Sequence, residues 1–437
     1  MGTPARSVAC LIVVLPVGVR RWLDRRDGRV HTLTLSLWEA PSLLPLVYGA
    51  AYAAAASLEQ LSIVMEGEGD YPVHLDSLLR LLPNLTKLAV SAARIVVGTD
   101  LCNASSLRKL ALHADIFEGM WLSDGRRGEH DLFHDGHEPP SPGAGPRVSS
   151  LPPSLMKLSF GCQLNEVSPP INYNAGLPYG LDLASTLQGL AVEGRRLEDK
   201  DIEILARLSA LRELHLTRCR FGSLHHISAL TGLKLLYLSG SHLQSLPAAE
   251  WEGALAPLRQ LVFLSISECD LYYLPPAVAA ATCLEGLHVE GNCIAALPPG
   301  PYLAHLKELA LGWQSLFASH GTLAQHAARL THLYMAGSHS AARASTGPAP
   351  VTAAGREDLV DATLDSISAL PELRCFTHVL DEREASGLES RSWLPLCVAL
   401  CLLRLGRRCP GLQLDAIRGD NYGWSIEDLG VCQVANL

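Results

Sequence analysis

"LEGLHVEGNCIAALPPG", residues 284–300, decides the fold. Leu287, His288 and Val289 alternate apolar and polar, as a half-buried strand does, whereas a helix would return apolar residues three and four positions apart. Asn292, Ile294, Leu297 and a proline pair follow, which predicts that the strand ends in a turn and a short return segment.

The stretch has companions. "LRELHLTRCRF" begins at Leu211, "LKLLYLSGSHLQSLP" at Leu233, "LVFLSISECDLYYLPP" at Leu261, "LKELALGWQSL" at Leu306 and "LTHLYMAGS" at Leu330. With Leu284 the starts are 22, 28, 23, 22 and 24 residues apart, which is a period. The frame continues upstream through Val30, Leu58, Leu85, Leu107, Leu155 and Leu187. One strand with its turn cannot cover its own apolar face, so such units must stack, each burying its neighbour's leucines. Three leucine-type side chains per unit give about 5 to 8 kcal/mol of gross stabilisation before chain entropy is subtracted.

These residues resemble the leucine-rich-repeat family, whose unit LxxLxLxxN/CxL returns every 20 to 29 residues. Leu284, Leu287, Val289, Asn292 and Ile294 occupy its places. The resemblance implies an α/β solenoid, a curved parallel sheet with short helices and turns on the convex side. The Asn/Cys place holds Asn292, Cys219 and Cys269 but also Ser241, Gln314, Ser338, Arg195, Gln163, Asp115 and Ala93, so an incomplete asparagine ladder and a curvature that is not uniform are expected. Return segments 198–211 and 248–261 have helical spacing, and "LPPAVAAATC" leaves room for a turn or two.

The ends and interruptions set the expected boundaries. Residues 1–29 read as a strand and helix capping the array, 30–340 as the repeats with a loop insertion at 119–150, and 341–357 as a low-complexity loop rich in Ala, Gly and Pro. Residues 358–437 read as a degenerate repeat and a helical cap. The run from Trp22 through "GRVHTLTL", and "RRCPGLQL" near the end, resemble flanking segments of algal and plant F-box/leucine-rich-repeat proteins, although no F-box is found before them. That resemblance implies a substrate-recognition role in a ubiquitin ligase, with ubiquitin-ligase components among the partners.

Composition narrows the function. The 48% hydrophobic and 18% charged residues describe a folded chain, and a formal charge of −9 from 35 basic and 44 acidic residues gives no footprint for nucleic acid. No apolar run reaches the length of a membrane span. Twelve cysteines in 437 residues are too sparse for a disulfide scaffold, which predicts reduced thiols and a cytoplasmic protein. "EHDLFHDGHE" sets His130 and His134 four apart, the spacing of a helical zinc pair, but in Gly- and Pro-rich surroundings that read as a solvated loop. A metal-dependent activity there is the minor alternative. Phosphate-cradling and nucleophile-elbow motifs are absent, so no enzyme and no cofactor are expected.

What remains is recognition of a protein partner. Residues before, between and after the inward leucines face the other side of the sheet, the concave side. From 213 to 334 that face is expected to carry Glu213, His215, Leu235, Tyr237, Phe263, Ser265, His288, Glu290, Glu308, Trp313, His332 and Tyr334. Aromatic residues on a rigid sheet are typical interface anchors, and the acids beside them suit a basic or amphipathic partner.

Overall fold

The computed structural model describes residues 11–12, 30–38, 57–66, 72–119, 151–161, 177–178, 181–336, 353–380, 404–409 and 411–418. The chain divides into two compact units, Met1–Leu211 with Arg220–Gly222, and Arg212–Cys219 with Ser223–Leu437.

The first unit is built on parallel strands Leu11–Ile12, Thr32–Trp38, Gln60–Glu66, Lys87–Ser91, Lys109–His113, Lys157–Gly161 and Gly189–Glu193. From Thr32–Trp38 onward the strands contribute the same two apolar positions. Leu33, Leu61, Leu88, Leu110, Leu158 and Leu190 stand opposite one another from strand to strand. All six are at most 2% exposed. A second ladder, Pro72–His74, Arg94–Val97 and Ile116–Gly119, aligns Val73, Ile95 and Phe117 where turns and helices alone were expected. The β-branched run "RIVV" prefers that pleated, buried surface.

The second unit repeats the arrangement with strands Glu213–Thr217, Leu235–Tyr237, Phe263–Ser265, Gly286–His288, Glu308–Gly312, His332–Ala336, Cys375–Leu380 and Gln413–Arg418. Leu214, Leu236, Leu264, Leu287, Leu309 and Leu333 form one aligned row, each 0% exposed, which continues into Phe376 and Leu414. Helices Asp199–Ala206 in the first unit and Ala248–Leu255 in the second fill the return segments read as helical, and Pro276–Ala279 forms one turn of helix where a turn or two was expected. Each unit is an α/β solenoid of stacked leucine-rich repeats.

Four successive strands of the second unit, from Glu213–Thr217 to Gly286–His288, end alike. Gly240 (φ 70°) and Gly291 (φ 69°) swing the chain out of the sheet in the left-handed conformation, and Arg218 and Glu268 do the same without being glycine, at about 1 to 2 kcal/mol each. The next residue then reaches back. Asn292 accepts the Cys269 and Leu271 N–H groups at 2.9 and 3.1 Å and donates to the Ile266 and Val289 carbonyls at 2.8 Å. The Cys269 thiol donates to the Leu238 carbonyl. Ser241 accepts the Cys219 N–H at 3.1 Å and donates to the Leu216 carbonyl at 2.8 Å. A serine thus supplies a rung where the asparagine ladder is interrupted.

Past residue 340 the second unit continues with a helix and two more strands, in the region read as a degenerate repeat. Helix Ala353–Ser368 occupies residues 353–357, expected as loop, because Val360, Leu364 and Ile367 repeat at helical spacing and are all buried. The strands at Cys375 and Gln413 carry the same register past residue 340. The expected cap helix, the His-rich stretch at 129–138 and most of both loops lie outside the described residues.

Leu264→Ala is expected to lower unfolding free energy by about 2 to 5 kcal/mol in urea titration, as a core cavity. Leu235→Ala, in the half-buried outward row, should cost clearly less; equal losses would contradict the assignment of faces. Asn292→Ala leaves two buried amides without an acceptor, at about 1 to 3 kcal/mol each, and should speed hydrogen exchange at Cys269 and Leu271 more than elsewhere in the second unit.

Candidate functional site

The outward face of the second unit carries side chains in rows set by the same register. One row runs Glu213, Leu235, Phe263, Gly286, Glu308 and His332; the next runs His215, Tyr237, Ser265, His288, Ala310 and Tyr334. Neighbouring strands lie about 4.8 Å apart, close to the spacing of stacked rings. The rings use it. His215 stacks on Tyr237 with centroids 4.0 Å apart and planes 11° apart, and Tyr237 stacks on Phe263 at 5.0 Å. Phe263 meets His288 edge-on at 4.8 Å, and His288 meets Tyr334 at 5.9 Å. Tyr334 lies parallel to His332, 6.4 Å away.

Small residues make this column possible. The Phe263 ring occupies the space over Gly286, where an added Cβ would come within 2.4 Å of it. Ala310 leaves the gap across which His288 and Tyr334 approach. Beside the rings, the hydroxyls of Ser239 and Ser265 are 2.7 Å apart and those of Ser265 and Ser267 3.2 Å apart.

His288 is the electrostatic centre. It is 3% exposed, and its Nε2 lies 2.8 Å from Glu308 Oε1. Burial disfavours its charged form, but the bond to Glu308 and the charges of Glu290 and Glu308 outweigh burial and raise its pKa above the ordinary histidine value. Glu290 has one carboxylate oxygen buried without a hydrogen-bond partner.

Eleven of the twelve expected residues fall on this face, with differences in depth. Glu213, His215, Leu235, Tyr237, Glu290, Glu308, His332 and Tyr334 are half-buried, so part of each meets solvent. Phe263, Ser265 and His288 are buried within the column, and act as its support more than as its contact surface. Trp313 is a correction. It opens helix Trp313–His326 and packs inside, 1% exposed, with its ring 5.8 Å from Phe317 and 5.9 Å from Phe376. Gly312 ends the strand and the helix turns the indole beneath the sheet, a change of direction that strand alternation does not anticipate.

Burial pushes the Cys269 thiol well above its usual range, so it serves as a hydrogen-bond donor and not as a nucleophile. Among the described residues no group of three or more His, Cys, Asp and Glu is placed to hold a metal ion, and no helix is long and apolar enough to cross a membrane.

No known family model matches the chain, and no curated protein matches it either. Among solved structures it is similar to the internalin inlF of Listeria monocytogenes, at 15% identity and a TM-score of 0.44, over 86% of this chain and 92% of that one. The fold assignment stands on the in-register leucine rows.

Because the folded His288 holds its proton more tightly than an unfolded histidine, the stability it contributes is present below the unfolded pKa of about 6.5 and is lost as pH rises through the folded value. The urea midpoint of the second unit should therefore fall from pH 6 to 9, and His288→Gln should flatten that part of the profile. An identical profile in the variant would contradict the pair.

Proposed function

We propose that the chain is a non-catalytic protein-recognition module whose second unit holds a basic or amphipathic segment of a partner on the outward, concave face of its sheet. The observation that carries this reading is the ring column from His215 to Tyr334. Ordering the rings costs conformational entropy that the chain has already met, so a partner binds a prearranged surface. Glu213, Glu290 and Glu308 lie along the column, and the outward positions of the strands from Glu213 to Ala336 contain no lysine or arginine. These acids supply partners for cationic groups of an incoming segment. The ubiquitin-ligase version of this reading rests only on the sequence resemblance at the two ends of the chain.

Phe263 is a poor test residue, since its burial makes truncation a stability experiment. Tyr237→Ala with Tyr334→Ala removes two half-exposed rings and is expected to abolish retention of partners that the intact chain captures from its native extract, with the far-ultraviolet circular dichroism unchanged. Retention of the same proteins at the same salt concentration would overturn the assignment of this face.

A further inference from the structure

Beside the two rows that hold the rings, the outward face of the second unit has a third. The N–H groups of Arg218, Gly240, Glu268 and Val289 donate to the Ser239, Ser267, Glu290 and Ala310 carbonyls at 2.7 to 2.9 Å. These bonds carry the register to the strand ends and align Thr217, Ser239, Ser267, Glu290 and Gly312. Glu290 is the one large side chain and the one charge in this row of small residues.

Its own fold leaves Glu290 incompletely satisfied. The side chain is half-buried, yet its Oε2 is buried with no hydrogen-bond partner among the described residues. Burying a carboxylate oxygen without a donor is unfavourable. Ser267, the neighbour on one side, is already engaged: its hydroxyl lies 3.2 Å from that of Ser265 and the residue is 5% exposed. On the other side there is room. A Cβ placed on Gly312 would meet nothing within 4 Å, and the backbone there (φ −79°, ψ 154°) suits any residue. An unpartnered carboxylate oxygen thus borders an open notch.

The charge around the notch is negative. Even with both nitrogens of His288 protonated, His288, Glu290 and Glu308 together keep one negative charge. Exposed Glu268 lies over Gly291, the residue after Glu290. The cations of these strands are elsewhere. Lys307 pairs with Glu285 at 2.8 Å before the strands begin, and Arg218 lies over Gly240, three strands from Glu290. Of the two cationic side chains a partner can offer, arginine suits the place better: its guanidinium is planar, gives up water more readily than an ammonium and presents its N–H donors in a fixed fork.

We propose that Glu290 is a specificity-determining residue of this face, and that it seats an arginine of the partner segment whose guanidinium lies over Gly312 and donates to the unpartnered carboxylate oxygen. The inference rests on the reading of the second unit's outward face as a recognition surface, and adds to it one anchor of defined chemistry.

The test uses the full chain and two fluorescein-labelled peptides of equal length and charge, an Arg-Ala repeat and a Lys-Ala repeat, followed by fluorescence anisotropy. The arginine peptide is expected to bind more tightly. Glu290→Gln should weaken it about tenfold, the scale of one hydrogen bond to a charged group, and bring the two peptides level. Gly312→Val fills the notch and should weaken the arginine peptide as well, with the far-ultraviolet circular dichroism unchanged. Glu252→Gln removes the same charge from an exposed position on helix Ala248–Leu255 and should leave both peptides unaffected. The inference is overturned by absence of binding in the intact chain, by equal affinity for the two peptides, by undiminished arginine-peptide binding in either notch variant, or by an equal loss in Glu252→Gln. Its failure is separable from that of the reading beneath it. Partners lost with Tyr237→Ala/Tyr334→Ala but held by Glu290→Gln at unchanged affinity sink the arginine site alone, whereas retention in the tyrosine variant removes the ring anchors and leaves the peptide result standing.

Discussion

Each strand of this chain depends on leucines it does not own. Leu264 is buried because Leu236 and Leu287 flank it in register, and neither belongs to its own turn of chain. Removing that lateral cover leaves three apolar side chains and a few strand residues facing water, which is no stable structure. The register itself is enforced by the alternation of the strand, since a slip by one residue would turn Leu264 out and Phe263 and Ser265 in. The ring column is a product of this one constraint.

The polar rungs solve the problem the leucine rows create. A chain that leaves a buried sheet at the same point in every repeat brings unpaired amides and carbonyls into the core. Asn292 meets four such groups with one side chain, whereas Ser241 meets two. The substitution of one for the other shows that the position demands a short donor-acceptor, not a particular residue.

The leucine rows, and so the architecture, were legible in the sequence because burial of a strand face leaves a two-residue period that no other element imitates. The outward face was legible as a set of positions, since the same alternation places His215, Tyr237 and Tyr334 opposite the leucines. Depth was not. Whether Phe263 or His288 is open or enclosed depends on Gly286 and Ala310, neighbours in space from other repeats. Trp313 escaped because the strand gives way to a helix at once. The second strand ladder escaped because three- and four-residue strands carry too few positions for a period to show.

Tyr237 has both faces of its ring covered, by His215 on one side and Phe263 on the other. No planar group can slide between them, and no ammonium can settle above the phenol's π cloud. What the residue still offers to an incoming molecule is its rim and its hydroxyl. On the proposed reading of this face, discrimination at its middle is therefore a matter of hydrogen-bond geometry and outline, with the sandwich acting as a fixed wedge against which shape is compared.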